Sequence, residues 1–195
     1  MTDQGSDWEA PRHLFEPLRP GKNISPPVVR PLQQLPFNEL DWTDIQKLCA
    51  RLFGLRPGVG FCREYGTSGQ GQLGIDIYSS YIQGKWLKWH MYECKHYPDG
   101  IVPSVVSAAL KKFIESDHPV KVDRFTLVVT CKVRDRKVDD EFMRLTERIR
   151  ENGVDAMLCD VDKLSAELEQ HEHLVFRAFG RDVYRAFYLR EPEVQ

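Results

Sequence analysis

The chain has 195 residues with 42% hydrophobic and 29% charged side chains. That is enough apolar material for one domain with a real core, and it excludes a disordered or fibrous chain. The formal net charge of −2 excludes a strongly basic stand-alone nucleic-acid binder, so any such binding needs locally clustered charge, several copies or a partner domain. No apolar run is long enough to span a bilayer, and the N-terminus MTDQGSDWEAP has neither the basic nor the apolar region of a signal peptide.

Residues 1–36 hold Pro11, Pro17, Pro20, Pro26, Pro27, Pro31 and Pro36. Neither helical nor strand periodicity survives that density, so the segment reads as an N-terminal arm ahead of a domain at 37–195. Asp41 or Thr43 is placed to cap a helix whose stripe is Ile45, Leu48, Cys49 and Leu52, ending at Gly54. Residues 59–65 read as a strand ahead of a glycine-rich loop, Gly66–Gly74. Two further strands follow, Ile75–Tyr81 and Trp86–His96, joined by a turn near Gln83-Gly84.

A helix after Pro103 carries Val105, Val106, Ala109, Leu110, Phe113 and Ile114 on its apolar side. The β-rich run within Val122–Cys131 suits a buried central strand. Val138, Phe142, Leu145 and Ile149 mark an amphipathic helix, and Val154–Cys159 another strand. Asp160 or Asp162 can cap a helix over Lys163–Gln170. Val175, Phe179, Val183 and Phe187 recur every fourth residue in a last helical segment, with Gly180 a point of break. That stripe serves either as core or as a docking surface for another protein or a second copy. The order α-β-β-β-α-β-α-β-α predicts an α/β fold, a mixed sheet with helices on both faces.

The chemistry concentrates between Gly74 and Lys95. Asp76 lies on one strand of the hairpin, and Glu93 and Lys95 sit two apart on the next, so that pair shares a strand face. Two acids and a lysine on an apolar strand are costly unless they face a wet cleft or a cation. Two carboxylates can hold a hard divalent cation, and a lysine beside them can stabilise an anion or orient a water. Removing one of the like charges is expected to relieve repulsion in the metal-free state. The competing reading is a surface ion pair on an edge strand.

Gly69-Gln70-Gly71-Gln72-Leu73-Gly74 matches the dinucleotide-binding glycine pattern, but a strand follows it where that site needs a helix. Gln70 and Gln72 can approach a phosphate backbone or a base edge, or simply solvate the loop. Lys111 and Lys112 on the following helix, with Lys85 and Lys88 on the hairpin, can track phosphates or form a solvated face. His171-Glu172-His173 suits a ligand pair on a strand but not on a helix. Cys49, Cys62, Cys94, Cys131 and Cys159 include no CxxC pair and mostly sit in apolar segments, so reduced thiols and a cytoplasmic location are expected.

The stretches LDWTDIQKLCARL, YGTSGQGQLGIDIY and YECK resemble the PD-(D/E)xK restriction-endonuclease-like superfamily. The resemblance spans roughly residues 37–170, and its specific part is GQGQLGID with ECK. It is greatest to the Mrr-like domains at the N-termini of bacterial anti-phage proteins, including those with STAND NTPase modules. The resemblance implies a Mg²⁺-dependent DNA endonuclease, with Mn²⁺ able to substitute, that acts on double-stranded DNA as one part of a larger defence protein. It also implies that Asp76 and Glu93 hold the metal and that Lys95 contacts the attacking water or the scissile phosphate. Such domains often carry a glutamate on the first helix; Gln46 stands at that position here, with Asp44 the alternative. The weak net charge adds an expectation that activity depends on self-assembly. A nuclease-fold module that binds without cutting is the alternative function.

Overall fold

A computed structural model describes residues 34–66 and 73–188. After a 3-10 turn at Phe37–Glu39, the chain forms helix α1 (Trp42–Gly54) and strands β1 (Val59–Glu64), β2 (Ile77–Gln83) and β3 (Trp86–Lys95). Helix α2 (Pro103–Glu115), strand β4 (Arg124–Val129), helix α3 (Arg136–Glu151) and strand β5 (Asp155–Cys159) follow, then helices α4 (Val161–Leu168) and α5 (Glu172–Tyr188). The five strands lie in the order β1-β2-β3-β4-β5. The first three form an antiparallel meander, and β4 and β5 continue the sheet in parallel. The protein is therefore a mixed α/β fold, as its element pattern predicts.

The strand pleat sends alternate side chains into two cores. On one face, Tyr92, Cys94, Val128 and Cys159 pack with the apolar stripes of α1, α4 and α5. On the other, Met91, Phe125, Leu127 and Val129 pack with α2 and α3. β4, paired in parallel on each side, is buried on both faces because α1, α4 and α5 cover one and α2 and α3 the other, which explains its continuous apolar run.

The helix stripes fall where the periodicities predict. Ile45, Leu48, Cys49 and Leu52 are all buried, as are Val138, Leu145 and Ile149. Of the two candidate caps for α4, Asp160 accepts the Lys163 N–H at 3.1 Å, while Asp162 pairs with Lys132. Gly180 interrupts α5 with φ +84°, in the left-handed region that glycine tolerates.

The packing resolves one open reading and sharpens another. Val175, Phe179 and Val183 are buried in the core under α1, so their stripe offers no docking surface. The proline-rich arm lies outside the described residues except at its end, and there it already belongs to the domain. Leu35 is buried and its N–H donates to Ser165 Oγ at 3.0 Å, and Gln34 bonds Asp162 at 2.6 Å. The core thus begins before residue 36. All five cysteines are free, four of them buried. Among the described residues no helix is long and apolar enough to cross a membrane.

Candidate active site

The site forms where the glycine-rich loop enters β2 beside the end of β3. Gly74 has φ +72°, and a Cβ there would stand 3.2 Å from the Phe113 backbone nitrogen and 3.4 Å from Lys112 Cγ. Only glycine lets this loop lie so close to α2. Two residues on, the Asp76 backbone joins the sheet, donating to the Tyr92 carbonyl at 2.8 Å and accepting from the Tyr65 N–H at 2.7 Å.

The Asp76 side chain crosses to the neighbouring strand, where its Oδ2 accepts the Cys94 N–H at 2.7 Å. Cys94 is the residue between Glu93 and Lys95, so this one bond ties the first acid to the strand segment carrying the other two groups. On β3, Glu93 and Lys95 share a face as the two-residue spacing requires, and Lys95 Nζ lies 2.7 Å from Glu93 Oε1. The edge ion-pair reading fails on burial: Asp76 is 7% exposed and Glu93 2%.

Gln46, not Asp44, is the helix residue that reaches Asp76. Its side chain hydrogen-bonds Asp76. Asp44 is buried too, but its Oδ1 has Lys47 at 3.9 Å and no hydrogen-bond donor among the described residues.

Burial pushes the Asp76 carboxyl above its usual range, against the pull of the Cys94 N–H, Lys95, Lys112 and Gln46. Burial also raises Glu93, opposed by Lys95 and reinforced by the Asp76 charge. For Lys95 burial works the other way, but Glu93 and Asp76 outweigh it and raise the ammonium pKa. Two acids thus share a desolvated site with one close cation, and Glu93 Oε2 is buried without a hydrogen-bond donor among the described residues. A buried acceptor left open beside a second carboxylate is what a hard cation fills. No third His, Cys, Asp or Glu joins them among the described residues. A divalent ion here would depend on two carboxylates, water and substrate oxygens, which suits Mg²⁺.

Glu93 and Lys95 open into a cleft of about 230 Å³ between the end of β3 and α2, lined also by Tyr97, Ser104, Ala108 and Lys112. Lys112 acts on both acids. Lys111, one residue earlier and about 100° round the helix, bears instead on Glu141 of α3. Lys88 is paired with Asp123 at 2.6 Å. Gln70 and Gln72 lie outside the described residues. His96 bonds Thr130 at 2.8 Å. No motif marks Ser104 or Tyr97 in the sequence, although Ser104, Ala108 and Lys112 recur every fourth residue.

Behind the site, on the opposite face of β3, lies a buried polar chain. His90 bonds Thr126 at 2.8 Å and the Tyr92 hydroxyl at 2.9 Å. Tyr92 stacks on Phe53, and Arg56 covers Phe53 while pairing bidentately with Glu167. This chain fastens α1 to the strand bearing Glu93.

No protein-family model matches the chain, and no curated protein or solved structure matches it either.

Proposed function

We propose that the protein is a metal-dependent phosphodiesterase that cuts DNA, with Asp76 and Glu93 holding Mg²⁺ or Mn²⁺. The observation that carries this reading is the pair of buried carboxylates beside Lys95, one of whose oxygens has no donor. When bound, a divalent cation neutralises phosphate charge and lowers the pKa of a coordinated water. Lys95 stays protonated at neutral pH, so it donates to a phosphoryl oxygen as charge builds there and is not the base. Gln46 and the Cys94 N–H hold the Asp76 carboxylate in one orientation. In the net reaction water oxygen bonds phosphorus, the P–O3′ bond breaks, and a proton from the water reaches the leaving oxygen. A 5′-phosphate remains.

The resemblance to Mrr-like effector domains extends the proposal to a role in anti-phage defence, within a larger protein whose assembly switches cutting on. A net charge of −2 supports that dependence, because non-specific attraction to DNA is then weak until several copies act together.

One observation favours the second reading, a module that binds nucleic acid without cutting: Gln46 adds no negative charge to the acids. The deciding experiment compares plasmid, linear and single-stranded substrates with Mg²⁺ and with EDTA, for the chain alone and for a forced tetramer. EDTA-sensitive nicking that Asp76→Asn abolishes supports the enzyme. DNA binding without strand breaks in every form refutes it.

A further inference from the structure

We propose that the cleft between the end of β3 and α2 is a subsite for the phosphate next to the scissile one, contacted by Lys112 and Ser104 with Tyr97 at its rim. The inference rests on the phosphodiesterase reading above and names how that site would hold its substrate strand. Ser104, Ala108 and Lys112 stand at successive four-residue steps of α2, are all exposed, and line one cleft with Glu93 and Lys95. Their span from Ser104 to Lys112 is eight residues of helix, about 12 Å, more than a single phosphate occupies. Ala108 in the middle keeps the floor low.

The charges divide along that length. Lys112, whose stem lies against Gly74, acts on Asp76 and Glu93 and marks the end nearest the acids. At the other end Ser104 brings a hydroxyl in the first turn of α2, where the helix dipole favours an anion, although Pro103 has no N–H and the Val105 N–H already donates to the Val102 carbonyl at 3.0 Å. Glu93 Oε2, buried without a donor among the described residues, is the oxygen a cation would take, so the contacts to a neighbouring phosphate fall to Lys112 and Ser104 along the cleft. Tyr97 is 38% exposed at the rim, and an exposed ring there can stack on a sugar or base. The volume of about 230 Å³ has room for a segment of phosphodiester backbone.

The test uses DNA substrates in which one phosphate near the cut is replaced by an uncharged methylphosphonate, scanned on both sides. In the wild-type protein one flanking position should lower kcat/KM by about tenfold or more, the size of a lost charge-assisted contact, chiefly through KM. In Ser104→Ala/Lys112→Ala the same replacement should cost less than about twofold, because the partners are already gone. Equal losses in both proteins overturn the subsite. A second arm, free of metal, titrates Lys95→Met with 5′-phosphorylated and unphosphorylated dithymidine while following the Ser104 and Ala108 amides by NMR. Phosphate-dependent shifts that vanish in the Ser104/Lys112 variant support the subsite even if no protein cuts, in which case only the catalytic reading falls. No shifts and no cutting overturn both.

Discussion

The Asp76 carboxylate accepts the backbone N–H of Cys94 at 2.7 Å, so one acid is anchored to the peptide that separates Glu93 from Lys95. The bond makes the three groups one unit and divides the role of Asp76 in two. It is a charge for the site and an acceptor for the sheet.

Asp76→Asn keeps an acceptor and removes the charge, so it should abolish metal-dependent cutting while leaving thermal stability near wild type. Asp76→Ala should abolish cutting and also cost about 1–3 kcal/mol, because a buried N–H loses its partner. The hydrogen bond thus overrides the simple expectation that deleting one like charge relieves strain. Glu93→Ala and Lys95→Ala should be as inactive as Asp76→Asn, since groups acting together are lost together. Denaturant melts beside a cleavage assay check all four, and full activity in Asp76→Asn would sink the assignment.

Gln46 positions Asp76 rather than adding charge, so Gln46→Ala should weaken cutting by roughly one to three decades, less than any of those losses. Asp44→Ala should leave cutting unchanged. Gln46→Glu sets a third carboxylate against Asp76; it should lower the melting temperature without metal and tighten Mn²⁺ binding measured by calorimetry. Inactivity in Asp44→Ala with an active Gln46→Ala would reverse the helix assignment.

The raised pKa of Glu93 gives the metal-free protein a pH signature. An acid whose folded pKa exceeds its unfolded value contributes stability at low pH and loses it as pH climbs from the unfolded value, 4.5 for Glu, through the folded one. Glu93→Gln removes that loss, so its stability relative to wild type should grow between pH 4 and pH 8. Millimolar Mg²⁺ should raise the wild-type melting temperature and leave that of Glu93→Gln nearly unmoved. Parallel pH curves for the two proteins would contradict a strained carboxylate.

His90 titrates in the opposite sense. Burial, with Arg56 and Arg124 nearby, holds its imidazole neutral with a pKa of about 3 against an ordinary 6.5. A base with a depressed folded pKa supports the fold above the unfolded value and loses that support as pH falls from 6.5 toward 3. His90→Gln should be less stable at pH 7 by about 1–3 kcal/mol, from the lost ring stacking and strained hydrogen bonds. Its deficit should shrink steadily toward pH 4. A deficit that stays constant would show that folding does not depress the His90 pKa.

The sequence by itself determined what depends on local period. The stripe of α1, the amphipathic α3, the doubly buried β4 and the shared face of Glu93 and Lys95 all follow from steps of 3.6 or 2 residues. Asp76 joins them because a hairpin returns it to the neighbouring strand. Period says which side of an element a residue occupies but not what lies opposite, and there the tertiary structure decided. Asp44 and Gln46 sit on the same helix two positions apart, and only the packing of α1 on the sheet selects Gln46. Lys111 and Lys112 are adjacent, and only the packing of α2 against the sheet and α3 sets Lys112 beside the acids and Lys111 beside Glu141. The stripe of Val175, Phe179 and Val183 reads equally as core or contact surface, and long-range burial under α1 makes it core. Each of these outcomes depends on a partner distant in the chain, and side-chain spacing carries no record of it.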